Sequence, residues 1–182
     1  MERDFMKIHL GCASKILEGF VNIDIRKIDD RVQVDNVATL ETIVDGSADL
    51  IYACHVLEHF GRHEVQDVLQ CWYDKLKVGG VLRLAVPDLE AACRLYIEKK
   101  YNIEAMYGLM YGGQMHEFDY HKIGFDLESL RGLLIKVGFT KFKMWDWRQT
   151  EHSHIDDFSQ AYLPHMDKEN GTIMSLNLEA RK

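Results

Sequence analysis

A glycine turn between two short apolar runs limits the possible folds more than any other feature of this sequence. The run Ile8–Leu10 predicts a buried strand that stops at Gly11, and Val21–Ile25 predicts a second strand that carries Asp24 near its end. In open α/β sheets a glycine after the first strand lets a ligand approach the backbone, and an acid at the tip of the next strand binds a ribose diol. The pattern therefore predicts a site for a nucleoside-containing cofactor.

The spacing of these two residues argues against a nicotinamide dinucleotide. Asp24 follows Gly11 by thirteen residues, whereas the dinucleotide fingerprint places its acid about 20 residues further on. The sequence also lacks the G-x-G-x-x-G pattern. A different adenosine cofactor is favoured.

The composition limits the number of domains and the classes of binding partner. The 182 residues suit one domain, and 47% of them are apolar, which is enough for a full core. The net charge is −7 without a stripe of Lys and Arg, which argues against a nucleic-acid partner. No apolar stretch approaches the roughly 20 residues of a membrane span, and no apolar leader is visible. Four cysteines without C-x-x-C spacing indicate reduced thiols and a cytoplasmic location: Cys12, Cys54, Cys71 and Cys93.

The order of apolar runs predicts a mixed α/β chain. Strands are expected at Ile8–Leu10, Val21–Ile25, Arg31–Val37, Ala48–Ala53 and Val81–Val86, with an antiparallel pair at Phe139–Trp147 and Thr172–Arg181. Helices are expected at Gly61–Lys77, at Leu89–Lys99, and from the cap Asp126 to Val137. Only about nine residues join the first two strands, which leaves room for one or two helical turns, although a parallel crossover usually takes a dozen residues or more.

Two segments differ in composition from the predicted strands and helices. Residues 105–124 combine glycines, methionines, tyrosines and two histidines, which predicts a partly helical flap over the strand ends. Residues 148–171 are polar and contain several histidines, and a loop of that length is usually functional or disordered. We expect both to be insertions in a single domain that spans residues 1–182.

Five runs in a fixed order carry a family resemblance. They are His9–Cys12, Val21–Ile25, Asp49–Phe60, Leu76–Leu84 and Val86–Leu89, and the similarity continues at Gly124–Phe125 and Val137–Phe139. Together they resemble the class I S-adenosylmethionine-dependent methyltransferases, of the small type 11-like kind. The resemblance implies a doubly wound, mostly parallel Rossmann-like sheet with an antiparallel strand near the C-terminus. It also implies transfer of the sulfonium methyl of S-adenosylmethionine to an acceptor. The sequence does not identify that acceptor: we expect a small-molecule or saccharide-like compound, and lipid and protein acceptors also stay open.

The resemblance further implies that the cofactor lies across the carboxyl ends of the first, second and fourth strands. Asp24 would accept hydrogen bonds from the ribose hydroxyls, and Asn36 would contact the adenine edge, unless a shift of one residue places Asp35 there. The family usually has a second glycine where this chain has Ala13. It often has an acid in place of His9. The implied cofactor-binding residues are His9, Gly11, Cys12, Ala13, Asp24, Ile25, Asn36, Val37, Cys54 and His55.

Two histidines of the flap, His116 and His121, are the candidate catalytic residues. Methylation of a hydroxyl or an amine requires the acceptor to lose a proton, and a neutral imidazole is the usual proton acceptor near pH 7. The alternative is that both are surface-loop histidines without a catalytic role.

The run His55–His59 also matches H-x-x-E-H, the inverted zinc-peptidase pattern. On a helix, His55 and His59 would share a face and hold zinc, with Glu58 as the base. The run directly follows a predicted strand, however, so these side chains need not converge, and we expect no metal. The remaining alternatives are a catalytically degenerate cofactor-binding or partner protein and an HxxEH zinc hydrolase.

Overall fold

A seven-stranded sheet is the framework of the computed structural model, which describes residues 5–182. The strands of the chain are β1 Lys7–Leu10, β2 Val21–Asp24, β3 Val32–Val34, β4 Ala48–Cys54, β5 Leu76–Pro87, β6 Thr140–Met144, β7 Tyr162–Leu163, β8 Thr172–Ile173 and β9 Ser175–Arg181. The large sheet has the order β3-β2-β1-β4-β5-β9-β6, and β7 and β8 form a separate hairpin. The first five strands are parallel, and β9 is antiparallel to both β5 and β6. The predicted fold class is confirmed.

The helices are α1 Val65–Lys75, α2 Leu89–Ile97, α3 Tyr107–Tyr111 and α4 Leu127–Val137. The predicted face of α1 is buried, and its Trp72 donates a hydrogen bond from Nε1 to the carbonyl oxygen of Val37, at 2.7 Å. Helix α4 begins at a capping box formed by Asp126 and Ser129 and ends at Gly138, which has a left-handed φ of 116°. Both helices pack against one side of the sheet, where most of the apolar core lies.

Irregular segments rather than helices cover the opposite side of the sheet. Residues 11–20, which join β1 to β2, contain turns and no helix. The side chain of Asn22 explains this: its Oδ1 accepts from the Leu17 N–H, and its Nδ2 donates to the carbonyl oxygens of Leu17 and Phe20. One buried amide thus satisfies the backbone groups that a helix would otherwise satisfy internally.

The observed boundaries of one strand and one helix differ from the predicted ones for local reasons. Strand β3 is shorter than the predicted Arg31–Val37 because the chain turns after Val34, where the Asp35 carboxylate accepts from the backbone and hydroxyl of Thr42. Helix α1 begins later than predicted, at Val65, because residues 62–64 form a turn in which the Glu64 N–H donates to the Gly61 carbonyl oxygen at 2.9 Å.

The two segments with unusual composition both contain short helical pieces. The flap, residues 105–124, includes the second half of the 3-10 turn Ile103–Met106 together with α3. The loop, residues 148–171, includes the 3-10 turn Phe158–Gln160 and strand β7. That both are insertions in one domain stays a prediction. Within residues 5–182, no helix is long and apolar enough to cross a membrane.

Candidate active site

The glycine turn after β1 lies where the sequence predicted, next to the ends of β2 and β4. Leu10 is paired with Ile23 on one side and with Ala53 on the other. Gly11 has a φ of +60°, and a Cβ atom at this position would lie 2.5 Å from Cγ2 of Val56. The turn therefore requires glycine for both its backbone conformation and its space.

Ala13 stands where the family resemblance implies a second glycine, and its backbone conformation is one that glycine adopts readily. Its φ is +43°, in the left-handed region that residues with a Cβ atom rarely adopt. The neighbouring Cys12 is buried, and burial raises the pKa of its thiol to about 12. The Cys54 thiol at the end of β4 is also buried, and its pKa is raised well above the usual value. Both thiols stay protonated near neutral pH and are poor nucleophiles.

Asp24 reaches back from the end of β2 to the glycine turn. Its carboxylate is buried, with Oδ2 accepting from the Ala13 N–H at 3.0 Å and Oδ1 from the Arg26 N–H at 2.9 Å. Arg26 Nε also donates to Oδ1, at 3.5 Å, so Oδ2 is the oxygen that has a lone pair left for a ligand hydroxyl. The structure thus brings together Gly11, Ala13 and Asp24, while the side chain of Ile25 is exposed beside them.

Residues 35–37, which follow β3, differ in exposure and in the contacts that their side chains make. Asn36 is exposed, and its Oδ1 accepts from the Ala38 N–H, which leaves its Nδ2 as the free group. Val37 is partly buried and packs against the apolar core beneath the site. The Asp35 carboxylate is turned away to Thr42, and these hydrogen bonds lower its pKa although burial alone would raise it. Of the two alternatives for the adenine contact, Asn36 has the available donor.

His9 belongs to a group of buried side chains in contact with one another that the sequence did not predict. Its members are Asn22, His9, Tyr52 and Asp157. Its Nδ1–H donates to Asn22 Oδ1 at 3.1 Å, and its ring stacks on Tyr52. Burial lowers the pKa of His9 to about 4, so the ring is neutral. Tyr52 donates in turn to Asp157 at 2.6 Å, which fixes the loop to this side of the sheet. Tyr52 and Asp157 are 105 residues apart, and no local pattern signals their contact.

A cavity of about 390 Å³ lies between the glycine turn, the end of β4, the flap and the loop. The residues lining it include Lys15, His55, His59, Leu109, His121 and Phe158. A second, open depression of about 540 Å³ is lined by flap residues alone, Tyr107 to Gln114, away from the strand ends. Among the predicted cofactor-binding residues, His55 lines the first cavity, whereas Gly11, Asp24 and Asn36 are not part of its lining. Lys15, just after the glycine turn, also lines it.

The H-x-x-E-H run does not lie on a helix. His55 has a left-handed φ of 52°, and only Leu57–His59 form a helical turn, of the 3-10 type. Zinc peptidases of this pattern need both histidines on one helical face, so that arrangement is not present. Glu58 is instead fully buried, with Oε1 3.4 Å from His55 Nδ1 and 3.8 Å from His121 Nε2.

The side chains of Glu58, His59 and His121 nevertheless converge. One ligand atom from each lies within 4.8 Å of the others. Within residues 5–182, neither carboxylate oxygen of Glu58 has a hydrogen-bond partner, and burial raises its pKa to about 8. The expectation of no metal rested on these side chains not converging, and that reason does not hold.

The two candidate catalytic histidines occupy different places. His121 lines the cavity, and its Nδ1–H donates to the Leu109 carbonyl oxygen at 2.9 Å, so Nε2 is the unprotonated nitrogen. His116 is exposed on the outside of the flap, with Nε2 3.0 Å from Arg26 Nη1. It is not among the residues lining the cavity. The geometry favours His121 over His116 as a group that meets an acceptor.

A family model described as a methyltransferase domain matches residues 16–84. This range begins after the glycine turn and runs through Asp24 and the His55–His59 segment into β5. None of the curated proteins matches the sequence significantly.

Several solved structures share the fold. A SAM-dependent methyltransferase from Thermotoga maritima, described as a possible histamine N-methyltransferase, is similar with a TM-score of 0.64 and 16% identity, over 100% of this chain and 84% of that one. One from Methanosarcina mazei has a TM-score of 0.61 and 15% identity, over 100% and 94% of the two chains. A putative methyltransferase from Haloferax volcanii, in complex with the Trm112 methyltransferase activator, has a TM-score of 0.58 and 13% identity, over 100% and 84%. At these identities the likeness establishes the fold.

Proposed function

We propose, from the premise that the chain is a class I S-adenosylmethionine-dependent methyltransferase, that it methylates a hydroxyl or amine of a small polar acceptor held beneath the flap. The methyl donor is S-adenosylmethionine. The observation that carries the acceptor site is the cavity of about 390 Å³, which is bounded by Lys15 of the glycine turn and by His121 of the flap.

The residues at the strand ends fit the cofactor. Gly11 leaves no room for a side chain, so the backbone is open to a close ligand. The buried Asp24 carboxylate retains a lone pair on Oδ2 for a ribose hydroxyl. Asn36 has a free amide donor for the adenine edge. When bound, S-adenosylmethionine supplies an electrophilic methyl on a sulfonium sulfur. We assign cofactor contact to these three residues and to the turn residues Cys12 and Ala13.

The cavity sets the acceptor's size and character. Its volume is at the lower end of the roughly 300–1,000 Å³ of small-molecule sites, which suits a compact molecule or one sugar-sized unit. Its walls combine apolar groups, such as Leu109 and Phe158, with polar ones, such as Asp119, Gln160 and His165. The flap and the loop form two of the walls of this cavity. Fixed orientation of the reactants is a main contribution of the protein to a transfer of this kind.

The acceptor must lose its proton as the new bond to carbon forms and the carbon–sulfur bond breaks. His121 offers an unprotonated Nε2 to the cavity, and its orientation is held by the Leu109 carbonyl. We therefore keep His121 as the candidate group for proton removal and assign no such role to His116. Ala13, in its left-handed conformation, is the feature that favours the rival hypothesis of a degenerate, non-catalytic member.

A binding experiment tests the cofactor assignment. Calorimetry with S-adenosylhomocysteine should show binding by the unmodified protein and roughly 10- to 150-fold weaker binding by Asp24→Asn, because a hydrogen bond to a charged group contributes about 1.5–3 kcal/mol. Asp30→Asn is the matched control, since that carboxylate is fully exposed six residues away. Equal affinities for all three proteins would remove Asp24 from the ribose site. No heat from any of them would remove the cofactor site itself.

Partners and location are part of the proposal. The Haloferax volcanii protein was solved with an activator, and we do not transfer that partner to this chain. We propose no nucleic-acid partner, in line with the net charge of −7. We also propose a cytoplasmic location, in which the four free cysteines stay reduced.

A further inference from the structure

We propose that Glu58, His59 and His121 bind one divalent transition-metal ion whose open coordination positions face the acceptor cavity. The inference rests on the proposed function, because the ion would act on the acceptor of the same methyl transfer. The three residues come from two segments, the turn after β4 and the flap, and one ligand atom from each lies within 4.8 Å of the others. His59 and His121 both line the cavity.

The two imidazoles are oriented as metal ligands usually are. The Nδ1–H of His59 donates to the Tyr120 carbonyl oxygen at 3.2 Å, and the Nδ1–H of His121 donates to that of Leu109 at 2.9 Å. Each ring therefore has its lone pair on Nε2. A backbone carbonyl that holds the second nitrogen of a histidine fixes the tautomer and the ring orientation of a ligating imidazole.

The hydrogen bonds around His55 leave a lone pair on its Nδ1, on the side that faces Glu58. Asn177 donates from Nδ2 to Ser159, so its Oδ1 accepts the hydroxyl hydrogen of Ser175. Ser175 can then only accept from His55 Nε2–H, at 3.3 Å. His55 Nδ1 is left with its lone pair 3.4 Å from Glu58 Oε1.

Four acceptor groups thus meet without a donor between them. Glu58 is 1% exposed, and within residues 5–182 neither of its oxygens has a hydrogen-bond partner. An unpaired carboxylate in the interior is strongly unfavourable, and facing lone pairs repel one another. A bound cation would both neutralise the buried carboxylate and attract all the facing lone pairs. A single proton on Glu58 can form a hydrogen bond with only one of the neighbouring acceptor atoms.

The ligand set selects the class of ion. Two imidazoles and one carboxylate suit Zn²⁺, Fe²⁺, Co²⁺ or Mn²⁺, whereas Mg²⁺ and Ca²⁺ prefer oxygen ligands throughout. Three protein ligands leave positions open for water or substrate, which is the arrangement of catalytic rather than structural sites.

Such an ion would act on the acceptor oxygen. A hydroxyl bound to the metal has a lowered pKa and releases its proton to solvent, which leaves an oxygen anion ready for transfer. Its oxygen–methyl bond then forms as the carbon–sulfur bond breaks, with S-adenosylhomocysteine as the leaving group. With the ion bound, His121 acts as its ligand, and the ion replaces His121 in the proton-removal step proposed above.

The test is a titration of the metal-free, untagged protein with Co²⁺, followed by the visible absorption of the bound ion. The unmodified chain should bind one Co²⁺. Glu58→Gln and His59→Gln should each weaken binding by at least roughly tenfold, since even the outer partners of a metal site contribute about 10- to 100-fold to affinity. His63→Ala is the matched control, because His63 is exposed in the segment that follows the cluster and should leave binding unchanged.

The outcomes separate the two proposals. No Co²⁺ binding by the unmodified chain, or equal binding by the chain and the two cluster variants, would overturn the metal site. This holds even if one variant fails to fold, because the unmodified protein decides the first point. Calorimetry with S-adenosylhomocysteine on the same samples tests the proposed function independently. Cofactor binding without Co²⁺ binding would leave the methyltransferase proposal in place and remove the metal.

Discussion

Replacing Gly11 by alanine should destabilise the fold by about 2–5 kcal/mol. The first part is conformational: a φ of +60° costs a residue with a Cβ atom about 1–2 kcal/mol. The second part is steric, because the new methyl would lie 2.5 Å from Cγ2 of the buried Val56, and overpacking of this kind typically costs about 1–3 kcal/mol. For a chain of this size the sum corresponds to a fall in Tm of about 4–20 °C.

Gly46 provides a matched control for the conformational part alone. Its φ is +65°, and no atom of residues 5–182 lies within 4 Å of the place that a Cβ would take. Gly46→Ala should therefore cost only about 1–2 kcal/mol. Thermal unfolding followed by circular dichroism compares the two variants directly. If Gly11→Ala unfolds at the same temperature as Gly46→Ala, the close contact with Val56 is not real.

The double variant Gly11→Ala, Val56→Ala isolates the steric part. Removing Cγ2 of Val56 should relieve the contact, so the cost of Gly11→Ala in that background should fall to the conformational value. The coupling energy of the cycle should be about 1–3 kcal/mol. Strictly additive effects would refute the steric argument, and with it the view that this turn is kept open for a ligand.

Two further predictions concern histidines. His121→Ala should lower turnover about 10²- to 10⁴-fold, once an acceptor is known, with little change in S-adenosylhomocysteine affinity; His63→Ala is the control, and a loss of cofactor affinity equal to the loss of turnover would contradict the assignment. His9, whose folded-state pKa of about 4 lies below the 6.5 of the unfolded chain, binds its proton more readily when unfolded, so stability should fall as pH drops from about 6.5 toward 4, by on the order of 3 kcal/mol. Urea unfolding across this range should show a flatter acid dependence for His9→Gln, and identical pH profiles would show that His9 is not the buried neutral ring described here.

The arrangement of Gly11 and Asp24 at the proposed cofactor site was predictable because it depends on local order. The ends of neighbouring parallel strands meet at one edge, so a glycine after β1 and an acid at the end of β2 must lie together. The cap of α4 was equally local, since Asp126 and Ser129 are three residues apart. The absence of a helix between β1 and β2 was not predictable, because it depends on the buried amide of Asn22.

The cluster around Glu58 could not be predicted for a different reason. His121 lies 63 residues after Glu58 in the chain, and their approach depends on the flap. The Lys122 N–H donates to the Glu58 carbonyl oxygen at 2.8 Å, and the His121 N–H donates to that of Tyr111 at 3.1 Å. Those backbone contacts place the imidazole, and no spacing or periodicity in the sequence encodes them.

The position of β9 has a consequence for the order in which the chain is synthesised. This strand follows every other strand of the sheet along the sequence, yet it lies between β5 and β6. Until a ribosome has released Ser175–Arg181, the nascent sheet ends at β5, a twelve-residue strand with one unpaired edge. An exposed edge of that length is a template for pairing with another chain. Slow translation just before β9 would therefore prolong the interval in which the unfinished protein is open to aggregation or to chaperone binding.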